Sequence, residues 1–366
     1  MQSINGAISS KNANQIYSDS YIVPKPRGTI DAVQNNKIVE SSNIPIFLNS
    51  TVKLSEVKAT LKKRLIAKAL YPLTDSTEWI FKRNEIKSKH GGERVKFHSP
   101  DGSVLDGMFI PSKSNEGLFS ERAFVFVPGM NSYYEHVFFD YFITLLRKKL
   151  GDVNFLALNH PGVMVSEGEL SCDGMALSVF SGCSYLIEKK HLDPSNIVIY
   201  GQSLGGVAAT RGGKLLQNEY PDSELNLIHE RSFVSFPEVV EKFCGSGFIG
   251  GQLRSYLEDE ESTWSTTDSP EDFEILKGNK LIIYSKFDCV VPFDFSFYKK
   301  LHEQKPNLSN VKVLSLPGEM LREQEHYRIF SSDEEDVVIE EIKRMLGLPY
   351  KEIIGAFQAY PLNISQ

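Results

Sequence analysis

One serine in this chain has neighbours suited to covalent chemistry. In Gly201-Gln202-Ser203-Leu204-Gly205 a glycine stands two residues away on either side. A short apolar run, Asn196-Ile197-Val198-Ile199-Tyr200, precedes it, and the small residues Gly206-Val207-Ala208-Ala209 follow. The stretch reads as strand, sharp turn and helix, the setting of the G-x-S-x-G nucleophile elbow. Bulky residues at the glycine positions would collide within so tight a turn. The Ser203 hydroxyl then stands clear of the sheet, at the positive end of the following helix. A serine attacks only when a base takes its proton, and the oxyanion it creates needs preorganised backbone donors. The rest of the chain has to supply a base, an acid to orient it and those donors.

The elbow and its flanks resemble the α/β-hydrolase superfamily, over roughly Arg94 to Leu348. That resemblance implies the chain order nucleophile, acid, histidine, with each partner on a loop at the C-terminal edge of the sheet. Asp288 fits the acid: the apolar run Leu281-Ile282-Ile283-Tyr284 leads directly into its loop, and Pro292 opens the next helix. Glu230, just after the preceding strand, is the rival. Two histidines lie beyond Asp288. His302 falls within a helical stretch, 295–304, whereas His326 lies between the last strand and the closing helix, where the fold puts its general base; no glycine precedes it. Leu204 N–H supplies one oxyanion donor. The second comes from Pro128-Gly129-Met130-Asn131, which replaces the usual His-Gly. Gly129 permits close backbone approach, so Met130 N–H is the candidate, with the Asn131 side chain as the alternative. His160, in Asn159-His160-Pro161-Gly162, occupies the place of a familiar structural turn and precedes the serine. It reads as a structural residue near the site.

The elements that position these residues are legible from periodicity. Alternating residues on both sides of Pro100-Asp101-Gly102 predict a hairpin. Apolar runs at 123–127, 153–158, 196–201, 225–229, 281–284 and 311–314 read as strands. Helices are expected from about 134 to 150, 172 to 190 and 334 to 346. Alternation of this kind means an α/β fold, with a mostly parallel central sheet and helices on both faces. Residues 1–75 read as an N-terminal extension: an irregular, Ser/Asn/Lys-rich segment, then an amphipathic helix over 54–70. Its lysines fill the positions between Leu54, Val57, Leu61, Leu65 and Leu70. The hydrolase domain is expected over 76–350 and a tail over 351–366. Within the domain, a short apolar, glycine-hinged cap falls at about 236–275.

The chain has 366 residues, 41% hydrophobic, with 23 Phe and 15 Tyr, enough for one large core. A net charge of −7 argues against general nucleic-acid binding. Cysteines 172, 183, 244 and 289 form no C-x-x-C pair. No phosphate loop, metal-spaced histidines or dinucleotide fingerprint appear, so neither cofactor nor metal is expected. No basic-then-apolar leader and no membrane-length run occur, and the expectation is a cytoplasmic protein. The 54–70 helix is expected to dock on the domain, with peripheral contact to an anionic membrane as its alternative.

The resemblance implies a serine hydrolase of carboxylic esters, lipase- or esterase-like, working through an acyl-enzyme on a small-molecule or lipid ester. Thioesterase, protein deacylase and peptidase chemistry share the same tetrahedral path and stay open. A non-catalytic hydrolase-fold binding protein is the reading from a different class. The runs 129–135 and Glu230-Arg231-Ser232-Phe233 look like those of the CHLPS and SidB-like hydrolases of intracellular bacteria. That finer resemblance implies delivery into a host cell.

Overall fold

The computed structural model divides into two units, Met1–Leu61 and Lys62–Gln366. Residues 77–112, 120–243, 248–258, 264, 270–318, 325–353, 355 and 358–359 are described, all in the second unit. The expected 54–70 helix lies outside them.

A nine-stranded sheet runs through the second unit in the order β1-β2-β4-β3-β5-β6-β7-β8-β9. Strands β1 (Glu93–His98) and β2 (Val104–Ile110) form the expected hairpin, and β2 pairs antiparallel with β4 (Asn154–Leu158). From β4 through β3 (Ala123–Val127), β5 (Ile197–Gln202), β6 (Asn226–Glu230) and β7 (Lys280–Ser285) to β8 (Val311–Leu316) all pairing is parallel. A two-residue strand, β9 (Gln358–Ala359), closes the far edge antiparallel to β8. The elbow strand β5 thus lies at the centre of the order, four strands from either edge.

Strands β3 to β7 are buried along their whole length, as a parallel sheet covered on both faces requires. Alternation along each strand sorts the two faces. Phe124, Phe126 and Tyr200 face one way and stack with Phe139 and Phe142 of α2 (Val137–Leu150) at ring separations of 5.1–5.9 Å. The aliphatic set Val125, Leu156, Leu158 and Ile199 lies in the core cluster with Val179 of α3 (Cys172–Lys190) and Val207 of α4 (Leu204–Glu219). Each such fully buried side chain contributes roughly 1.5–3 kcal/mol. Two features differ from the sequence expectation. Helix α2 begins at Val137 rather than near Tyr134; the residues before it form turns, with the Tyr134 N–H bonded to the Asn159 side chain and the His136 N–H to the Tyr133 carbonyl. An additional helix, α1 (Thr77–His90), precedes the hairpin; it buries Ile86 while Ile80 and Phe81 stay exposed.

Between β6 and β7 run α5 (Phe236–Phe243), α6 (Phe248–Leu257) and α7 (Pro270–Ile275). Phe236 packs on Trp264 at 5.0 Å. The far end of the segment is anchored in the core: Phe273 is fully buried against His229 and against Phe297 of α8 (Phe297–Gln304). Helix α9 (Ser332–Met345) closes the domain. Among the described residues no helix is long and apolar enough to cross a membrane.

Candidate active site

Ser203 stands between β5 and α4 with φ 52° and ψ −123°, a conformation an L residue rarely adopts. Its N–H donates to the Glu230 carbonyl at 2.8 Å, and its own carbonyl accepts from Gly206 N–H at 2.9 Å. Neither flanking glycine could carry a side chain. A Cβ on Gly205 would fall on the Val127 carbonyl oxygen, and one on Gly201 would lie 2.5 Å from Gly205 O.

Two residues distant in the chain meet this serine. His326 Nε2 lies 3.0 Å from Ser203 Oγ, and His326 Nδ1 lies 2.7 Å from Asp288 Oδ2. A carboxylate can only accept, so Nδ1 carries the proton and Nε2 is free to take one from the serine hydroxyl. The other Asp288 oxygen accepts from Val290 N–H (2.9 Å) and Val291 N–H (2.8 Å), so the turn after β7 fixes the carboxylate. His326 is fixed from its C-terminal side. Arg328 bridges Glu325 and Glu334, and Glu334 closes a capping box with Ser331 at the start of α9. Ser203, Asp288 and His326 are all buried.

Glu230 does not approach this group. Its carboxylate accepts from the Tyr200 hydroxyl and from the guanidinium of Arg231, itself buried with Nε and Nη2 unpartnered. Glu230 serves the elbow through its backbone carbonyl instead. His302 lies on α8 with its ring near Tyr298.

The loop after β3 passes over the elbow. A Cβ on Gly129 would lie 2.9 Å from the Gln202 carbonyl oxygen and 3.2 Å from Ser203 Cβ, so Gly129 permits that approach. Met130 follows, half-buried against the core, and Asn131 has φ 53° with Oδ1 buried and unpartnered. Leu204, the first residue of α4, is fully buried. His160 lies beside this loop, with Nε2 3.0 Å from the Pro128 carbonyl and Nδ1 3.1 Å from Ser178 Oγ. Burial lowers its pKa from 6.5 to about 4, so the ring is neutral. Asn159 and Glu135, which the sequence pattern does not single out, hold the other end of the loop. Their one sequence signal is slight: a polar residue ends the apolar run of β4, and an acid follows three aromatic or polar loop residues. Among the described residues no group of His, Cys, Asp and Glu could hold a metal ion.

Residues 112–288, just under half the chain, match the model of the family described as Chlamydia CHLPS protein (DUF818). An esterase of Pyrococcus furiosus superposes with a TM-score of 0.53 at 17% identity, covering 70% of this chain and 93% of its own. An alpha-beta hydrolase from Vibrio vulnificus gives 0.52 at 17% identity, covering 72% and 87%. An acylaminoacyl peptidase from Pyrococcus horikoshii gives 0.50 at 19%, over 72% of this chain and 43% of its own. At such identities the likeness establishes the fold, and the fold is that of the α/β-hydrolases.

Proposed function

We propose that this chain, built on the α/β-hydrolase fold, is a serine hydrolase that cleaves carboxylic esters through an acyl-enzyme. The observation that carries the reading is the unbroken hydrogen-bond line from Asp288 through His326 to Ser203. In the reaction Ser203 Oγ attacks the ester carbonyl while His326 Nε2 takes its proton. The tetrahedral oxyanion accepts from Leu204 N–H and Met130 N–H. Collapse expels the alcohol, which leaves with the proton held on His326. Water then attacks the acyl-enzyme by the same route, releasing the acid and restoring the serine. Asp288 holds the productive tautomer and stabilises the imidazolium.

The test is labelling with a fluorophosphonate probe, with hydrolysis of short- and long-chain esters and of a thioester alongside. Wild-type protein should label, and Ser203→Ala should not, with turnover lost by about 10⁶-fold. Continued labelling of a folded Ser203→Ala protein would overturn the assignment of the nucleophile. A wild-type protein that neither labels nor turns over any substrate would instead favour a binding role for the fold.

A further inference from the structure

The loop from Pro128 to His136 is irregular, yet it approaches the elbow closely and holds one residue at positive φ. Two consecutive residues at the C-terminal end of β4 grip it from both ends. His160 takes the entry. The Pro128 carbonyl only accepts, so His160 Nε2 carries the ring proton and donates to it, leaving Nδ1 beside the Ser178 hydroxyl, whose one proton also has the Met175 carbonyl within 2.7 Å. Because the ring stays neutral down to about pH 4, that tautomer persists wherever a Ser–His pair works.

Asn159 takes the exit. Its Oδ1 accepts from Tyr134 N–H at 3.1 Å, and its Nδ2 donates to Glu135 Oε2 at 3.0 Å. One partner only donates and the other only accepts, so a neutral amide is required there; an aspartate would set two carboxylates face to face. Both grips rest on fixed ground. Asn159 N–H bonds to the Asp106 carbonyl at 3.0 Å, and the Asn159 carbonyl accepts from Ser166 Oγ at 3.0 Å. The second oxygen of Glu135 accepts twice from Arg83 of α1, at 3.0 and 2.5 Å. The Tyr134 hydroxyl donates to Asp106 Oδ2 at 2.7 Å. Asp106, Glu135, Asn159 and His160 are each no more than 1% exposed.

We propose that Asn159 and His160 are a paired clamp on this loop. They fix the position of Gly129-Met130 above Ser203 and thereby aim the Met130 N–H at the oxyanion. The donor role of Met130 belongs to the ester-hydrolase reading, and this inference rests on it. The clamp acts through the loop rather than on substrate, so both are positioning residues. Charge develops on the attacked oxygen only as the transition state forms, so a misaimed donor lowers kcat and leaves KM nearly unchanged. A displacement near 1 Å is enough to cost roughly 100-fold.

His160→Leu removes the donor at similar volume, and His160→Gln returns an N–H to the same place. The isosteric Glu135→Gln leaves one acceptor oxygen for two donors, Asn159 Nδ2 and the Arg83 guanidinium, and loosens the other grip. Each variant is assayed for kcat and KM on a p-nitrophenyl ester, for inhibition by a trifluoromethyl ketone that forms a tetrahedral adduct, and for amide exchange over residues 128–136. For His160→Leu we expect kcat and ketone affinity to fall together by about 10- to 100-fold. KM should stay within about threefold and exchange in the loop should rise, with partial recovery in His160→Gln. Unchanged kcat and loop exchange in a folded His160→Leu protein would overturn the clamp. If His160→Leu does not fold, Glu135→Gln carries the same test with the same two outcomes. Should wild-type protein prove inactive on every substrate, the hydrolase reading fails on its own. Loop exchange then decides the clamp: faster exchange in the variants supports it, and unchanged exchange refutes it.

Discussion

At Ser203 the backbone is held in a region that costs an L residue on the order of 1–3 kcal/mol. The surrounding sheet meets that cost with bonds from Ser203 N–H to Glu230 and from Gly206 N–H to Ser203. Asp288 meets His326 through its carboxylate, whereas Glu230 meets Ser203 only through its backbone carbonyl, so their substitutions should separate. Asp288→Asn keeps the shape but allows the wrong imidazole tautomer, so kcat should drop by about 10⁴-fold with little change in the unfolding curve. Glu230→Gln leaves the buried Arg231 guanidinium without its counter-charge. It should lower unfolding free energy by about 3–5 kcal/mol in a urea titration while the folded protein still labels at Ser203. Loss of turnover in folded Glu230→Gln, with Asp288→Asn near normal, would reverse the two roles. Ser203, Asp288 and His326 are legible in the sequence because a five-residue motif fixes one and chain order narrows the others. Asn159 and Glu135 are not: a sequence displays polarity but not the partner that makes a buried polar group useful.

Elements show the same division between local and distant causes. The hairpin, the parallel strands and helix α3 follow from period and turn chemistry, and their bounds lie within a residue or two of expectation. Helix α1 carries no clear apolar stripe, since Trp79 meets Tyr133 edge-on while Ile80 and Phe81 face outward. Only its tertiary partner explains it. The start of α2 also departs from expectation, and the turns before it are held by tertiary bonds to Asn159. The elbow turn is the element least able to change. Gly205→Ala would drive a methyl into the Val127 carbonyl, and we expect loss of soluble folded protein or of probe labelling. At α9 the capping box offers a milder test. Ser331→Ala should cost about 1 kcal/mol of stability, read by thermal or urea unfolding, with labelling retained.

Across the whole molecule, two fully buried neutral histidines contribute to the response to acid. Burial lowers His160 from 6.5 to about 4 and His229 from 6.5 to about 3. Between the unfolded and folded values the unfolded chain binds more protons than the native one, so stability rises with pH there and is lost on acidification. The share that these two groups contribute should be flat above about pH 7. It should then fall by as much as about 1.4 kcal/mol per histidine for each pH unit down to about 4. Urea midpoints at several pH values would measure it; a midpoint unchanged between pH 7 and 4.5 would contradict it. The sheet has one further liability, at its margin. Strand β8 is shielded along Lys312 and Val313 by the two residues of β9, near the very end of the chain. Removing residues 356–366 would leave that row of backbone donors and acceptors open, a template for a strand from another copy. Such a truncated protein should keep its site yet self-associate with rising concentration, as light scattering would register. On that outcome Gln358 and Ala359 would count less as part of a tail than as a stopper against polymerisation.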